Sequence, residues 1–135
     1  MKTFILTSIF LFSFFCLVNA EQSANYREIN EIISQLEILH NAGIKIKKLN
    51  TVEVSELRGC VDKYGHLRNQ AKELRAKVQN LPVYKYRFEL MVAADSAFTC
   101  VYCGGTGRGC EDIQNSIKIV RGYLDEDQAV ESNHK

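Results

Sequence analysis

Residues 57–81 read Leu57-Arg58-Gly59-Cys60-Val61-Asp62-Lys63-Tyr64-Gly65-His66-Leu67-Arg68-Asn69-Gln70-Ala71-Lys72-Glu73-Leu74-Arg75-Ala76-Lys77-Val78-Gln79-Asn80-Leu81. Leu57, Cys60, Tyr64, Leu67, Ala71, Leu74, Val78 and Leu81 follow at steps of 3, 4, 3, 4, 3, 4 and 3, which puts all eight on one face of an α-helix. Most of the residues between them are polar, so the pattern predicts one long amphipathic helix. Gly59 and Gly65 each weaken it by about 1 kcal/mol relative to Ala. Burial of its Leu and Val side chains, at about 1.5–3 kcal/mol apiece, offsets that. Pro82 ends it.

Similar stripes lie on both sides. Upstream, Asn25 and Glu28 have the form of a capping box, and Ile29, Ile32, Ile33, Leu36 and Leu39 recur at helical spacing up to a stop at Ala42-Gly43. Ile44 to Leu49 alternates like a strand but has no strand to pair with, and reads as a connector. Downstream, Val83, Tyr86, Leu90, Ala93, Ala94, Ala97, Cys100 and Val101 form a third stripe that ends near Cys103, at the run Gly104-Gly105-Thr106-Gly107-Arg108-Gly109. Cys110, Ile113, Ile117, Val120 and Leu124 form a fourth. The expected fold is therefore all-α, a small antiparallel bundle of about four helices over residues 21–124, followed by an acidic disordered tail over 125–135.

Residues 1–20 read as a secretory signal peptide. Lys2 precedes an apolar run from Phe4 to Val18, and Val18-Asn19-Ala20 is small where a signal peptidase cuts. The run is too short to be a spanning helix, so no membrane span is expected after cleavage. Cys16 leaves with the signal. It is not read as a lipidation site, because Phe14 and Phe15 stand where small residues are required. Removing Lys2 from a chain of net charge +1 leaves a neutral remainder, which gives no case for binding nucleic acid. The expected location is periplasmic or extracellular.

Export leaves four cysteines, Cys60, Cys100, Cys103 and Cys110, for which two disulfides are the default in an oxidising compartment. Folding helices two and three back at Pro82 brings Cys60 beside the end of helix three. Since Cys60 and Cys100 both lie on inward stripes, the expected bridges are Cys60 to Cys100 and Cys103 to Cys110. The swapped set, Cys60 to Cys103 with Cys100 to Cys110, is the other arrangement this spacing allows.

Cys100-Val101-Tyr102-Cys103-Gly104-Gly105-Thr106-Gly107 resembles the CxxCxGxG repeat of the cysteine-rich zinc region of J-domain co-chaperones. There paired repeats supply four thiolates to each zinc. Here a single repeat covers eight residues, and no J-domain signature accompanies it. A zinc site on this pattern takes Cys100, Cys103 and Cys110 with Cys60 or His66. Export favours disulfides instead, so no metal or cofactor is expected. A thiol-exchange CxxC needs the start of a helix, where the dipole lowers the thiol pKa, whereas this one falls at a helix end. The glycines are not spaced as GxGxxG, and no Gly-Lys-Ser/Thr follows.

No catalytic constellation is legible. His40, His66 and His134 are the only histidines, and the adjacent Asp95 and Ser96 point apart on a helix, so the chain is not expected to be an enzyme. Charge is uneven, with eleven basic against four acidic residues between Lys45 and Arg87. These features predict a non-enzymatic protein-binding module, of the inhibitor or immunity-protein type, that occludes a partner such as an exported enzyme or toxin. Its expected contact residues are Arg108, Gly105 and Gly107 on the glycine loop, with Lys63, Arg68, Lys72 and Arg75 on helix two. The alternatives are an envelope metal or thiol-redox factor built on the CxxC cluster, and a structural envelope protein that self-associates into a homo-oligomer through helix one.

Overall fold

The computed structural model describes residues 4–49 and 53–133; the side chains of residues 1–24, 84 and 131 lie outside the described set. The side chains of the expected signal segment and all of His134 thus fall beyond it. Five helices and no strand are present among the described residues: α1 (Phe4–Lys47), α2 (Val54–Tyr64), α3 (His66–Gln79), α4 (Tyr84–Cys100) and α5 (Arg108–Asn133). The chain divides into two compact units, Met1–Glu31 and Ile32–Lys135. The second contains the rest of α1, the other four helices and both disulfides.

The core of this second unit uses the apolar stripes. Ile32, Ile33, Leu36 and Leu39 of α1, Leu67, Ala71, Leu74 and Val78 of α3, Leu90, Ala93, Ala94 and Ala97 of α4, and Ile113, Ile117, Val120 and Leu124 of α5 are all buried. The three alanines let neighbours approach α4 closely, and α4 packs along both α3 and α5. Side-chain pairs show the directions. Arg75 pairs with Asp95, and Cys60 with Cys103, so α2–α3 and α4 form an antiparallel hairpin. Lys85 meets Asp127 while Cys100 meets Cys110, so α4 and α5 form another. Glu37 pairs with Arg121 at 2.6 Å.

Several expectations are corrected. The long helix over 57–81 is interrupted at Gly65. This residue keeps helical dihedrals (φ −58°, ψ −30°), but the next turn tightens as the Arg68 N–H bonds to the Gly65 carbonyl. Leu57 lies outside the core, because Cys60 is the first buried residue of α2. No helix starts at Asn25, since the residues before it contain no Gly or Pro and the helix simply runs through. Nor does α1 stop at Ala42-Gly43, and most of the expected connector is its last turns. Residue 43 is a glycine inside α1 because the Cys100–Cys110 bridge lies against the helix backbone there. A β-carbon at 43 would overlap Cys100 Sγ and stand 2.8 Å from Cys110 Sγ.

The bridges are Cys60–Cys103 and Cys100–Cys110, the swapped arrangement rather than the expected one. The inward side of α4 faces two neighbours. Cys100 points to the α1–α5 side, with its Sγ 4.0 Å from the Leu39 carbonyl oxygen, while Cys103, past the helix end, turns back to α2. The bridges span 43 and 10 residues. Loop closure on that scale contributes about 4 and 3 kcal/mol in the chain-entropy description.

The acidic segment from Asp125 onward is helical as far as Asn133, where a disordered tail was expected. Asp127 ties it down by accepting hydrogen bonds from the Tyr86 hydroxyl and from Lys85 Nζ, the latter at 2.7 Å. Burial alone would raise the Asp127 pKa. The bonds from Lys85 and Tyr86 and the charge of Lys85 outweigh it and hold the carboxyl below its ordinary value of 3.8.

A folded-state pKa below the unfolded one means that Asp127 contributes stability above the usual carboxylate range and loses it as pH falls through the depressed value. Asp127→Asn is accordingly expected to cost about 1 kcal/mol at pH 7, with the gap to wild type closing below about pH 4 in urea titrations. The glycines give a second check, of opposite sign at two helical positions. Gly122 has nothing within 4 Å of an added β-carbon, so Gly122→Ala should stabilise by about 0.5–1 kcal/mol. Gly43→Ala should destabilise by about 1–3 kcal/mol. Equal midpoint shifts in thermal unfolding would contradict this reading of Gly43.

Candidate functional site

The two bridges converge on the segment between α4 and α5. Cys60–Cys103 fastens it to α2, and Cys100–Cys110 joins the end of α4 to the first turn of α5. Between them the chain reverses through Gly104 (φ 83°) and Gly107 (φ 69°), backbone conformations that only glycine adopts cheaply. Gly109 packs directly on α4, where a β-carbon would overlap the Ser96 carbonyl oxygen and Thr99 Oγ1. The start of α5 is therefore seated on the last turns of α4.

This construction places Arg108 beside residues from two other helices. Arg68 and Lys72 are four residues apart on α3, while Phe98 and Tyr102 are four apart along α4 and just past its end. The Arg68 guanidinium carbon lies 4.3 Å from the Phe98 ring centroid and 5.1 Å from that of Tyr102. Lys72 Nζ lies 5.8 Å from the Phe98 centroid. These are cation–π distances, at which the ring faces attract the charge. A surface cleft of about 320 Å³ opens here, lined by Arg68, Phe98, Thr99, Tyr102, Gly105, Thr106, Arg108 and Gly109.

No carboxylate lines the cleft. Elsewhere three ion pairs form across helices, Arg75 with Asp95, Lys85 with Asp127, and Arg121 with Glu37. Arg68, Lys72 and Arg108 have no ion-pair partner among the described residues. Arg68 Nε is also buried and makes no hydrogen bond. The cleft thus combines apolar walls with unneutralised positive charge, an arrangement suited to an anion carried on an apolar group.

Of the residues singled out from the sequence, Arg68, Gly105 and Arg108 line the cleft, and Lys72 stands next to it on Phe98. Gly107 does not line it; it is buried, with Lys47 against it. Arg75 is engaged by Asp95, and Lys63 lies over the Tyr64 ring at 5.2 Å on α2. Phe98, Tyr102, Thr99 and Thr106 were not anticipated. Their one trace in the sequence is that Phe98 and Tyr102 stand one helical turn apart, off the buried stripe, as Arg68 and Lys72 do.

The zinc and thiol-exchange readings draw on thiolates at Cys100 and Cys103, whose sulfurs are bonded to Cys110 and Cys60. Among the described residues, no three His, Cys, Asp or Glu side chains gather as metal ligands. Ser96 donates its hydroxyl to Asp112 at 3.3 Å rather than to a histidine. No helix of the described residues is long and apolar enough to cross a membrane.

The stacking of Arg68 on Phe98 is measurable as a coupling. A double-mutant cycle of Arg68→Ala and Phe98→Leu, followed by urea unfolding, should give an interaction of about 0.5–1 kcal/mol. Strict additivity of the two losses would show that the pair does not interact in solution.

Compared with known proteins, the chain matches no family model, and neither a curated protein nor a solved structure is significantly similar to it.

Proposed function

We propose that this chain is an exported, non-enzymatic protein-binding module that acts by occluding a partner, as inhibitors and immunity proteins do. The observation that carries the reading is the cleft at the α4–α5 loop, where Arg68, Lys72 and Arg108 stand around Phe98 and Tyr102 without acidic partners. Unpaired cations beside exposed aromatic surface are the composition of binding hot spots, in which Arg and Tyr are enriched. Two disulfides hold the loop in one shape, which lowers the ordering entropy that binding would otherwise cost. The same bridges fit an oxidising compartment and therefore export, with residues 1–20 as the cleaved signal and a periplasmic or extracellular destination. The partner is a protein with an acidic contact surface, an exported enzyme or toxin being the class that suits an occluding module.

The test is affinity capture from envelope and culture-medium fractions with wild-type protein and with the Arg68→Glu, Arg108→Glu double variant as parallel baits. Wild type should retain a defined protein at least tenfold above the variant, and raising salt from 50 to 500 mM should weaken the capture. Identical recoveries on both baits would overturn the assignment of this surface.

A further inference from the structure

We propose that the cleft between Arg68 and Arg108 is a receptor for the C-terminal residue of a partner chain, taking its free carboxylate between the two guanidinium groups and its apolar side chain against Phe98 and Tyr102. The inference rests on the protein-binding reading above and adds the chemistry of the anchor.

Three observations lead to it. The first is that the charge is prepared and unused. The Arg68 guanidinium is positioned by ring faces, 4.3 Å from one centroid and 5.1 Å from the other, and its buried Nε has no hydrogen-bond acceptor. The packing that orients the guanidinium supplies no acceptor for it, and an arriving carboxylate would add charge-assisted hydrogen bonds that the folded chain does not make. The second is that the positive field comes from more than one element. Arg108 is the first residue of the 26-residue helix α5, whose N-terminal turn also lines the cleft through Gly109, and that end of a helix favours an anion. The third is size. A cleft of about 320 Å³ is on the scale of one large side chain, and Phe98 and Tyr102 give it two aromatic walls. A single residue carrying both a carboxylate and a large apolar side chain is an apolar residue at a chain terminus. An internal Glu or Asp presents the charge on a short stem that leaves the rings uncovered. Tyr102, Thr106 and Arg108 are exposed, so the site is an open cleft suited to the end of a macromolecule rather than an enclosure for a metabolite.

The experiment is an NMR titration of the disulfide-bonded protein, labelled with nitrogen-15 and read at the Arg68 and Arg108 Nε–H resonances. The probes are N-acetyl-phenylalanine, N-acetyl-phenylalanine amide and N-acetyl-glutamate α-amide. The free acid should shift both resonances saturably with a Kd of about 1 mM. The amide, which lacks the carboxylate, and the glutamate derivative, which lacks the apolar group, should each bind about tenfold more weakly. Arg108→Gln, which leaves the core untouched, should weaken the acid by a similar factor. Equal binding of acid and amide overturns the carboxylate role, equal binding of the glutamate probe overturns the terminal-residue assignment, and no saturable shift overturns the site. Failure here, with Arg108-dependent protein capture intact, removes the anchor chemistry and leaves the binding module. Loss of capture with the titration intact does the reverse.

Discussion

The Cys100–Cys110 bridge lies against the backbone of α1 at Gly43, where the absence of a side chain lets three helices meet. That contact requires a glycine at a position where α1 continues rather than ends. It also joins the end of α4 to the start of α5, and so sets where Arg108 begins its helix. The second bridge, Cys60–Cys103, fastens the same loop to α2 from the other side. A short chain with a modest core holds its most glycine-rich segment in one shape by this double attachment, and the cleft is built on that segment.

The distribution of charge follows from the packing. The basic stretch from Lys45 to Arg87 is not uniformly available, because the antiparallel neighbours of α3 and α4 bring acids to some of its members. Arg75 meets Asp95 and Lys85 meets Asp127. Arg68 and Lys72 instead face Phe98 and Tyr102. Rings attract cations without neutralising them, so the charge stays available to an outside anion. The selection among similar lysines and arginines is made by what lies across the helix interface.

The heptad-like spacing of α3, its stop at Pro82 and the stripes of α4 and α5 were legible because each records a local rule, 3.6-residue periodicity or an imino acid without an N–H. The same rules misplaced other features. Gly43 reads locally as a helix stop and is a close-approach residue. Asp125 onward reads as a solvated tail, yet it is helical and tied down where Asp127 accepts from Tyr86 and Lys85, more than 40 residues earlier in the chain. Phe98 and Tyr102 carry no local mark of their role, since an aromatic residue off the buried stripe looks the same whether it faces solvent or an arginine.

From its sequence alone this chain is determined to be helical, with four sulfurs placed to bridge in pairs around a glycine loop and with most of its core residues named. Two sets of bridges were compatible with that spacing, and the one favoured by the inward stripes is not the one that forms. Only the tertiary structure decided between them, because α4 presents its inner side to two neighbours and the direction of each sulfur depends on which neighbour it faces. The cleft was decided the same way. Its walls come from α3, the end of α4 and the start of α5, positions that no local pattern relates and that only packing brings together.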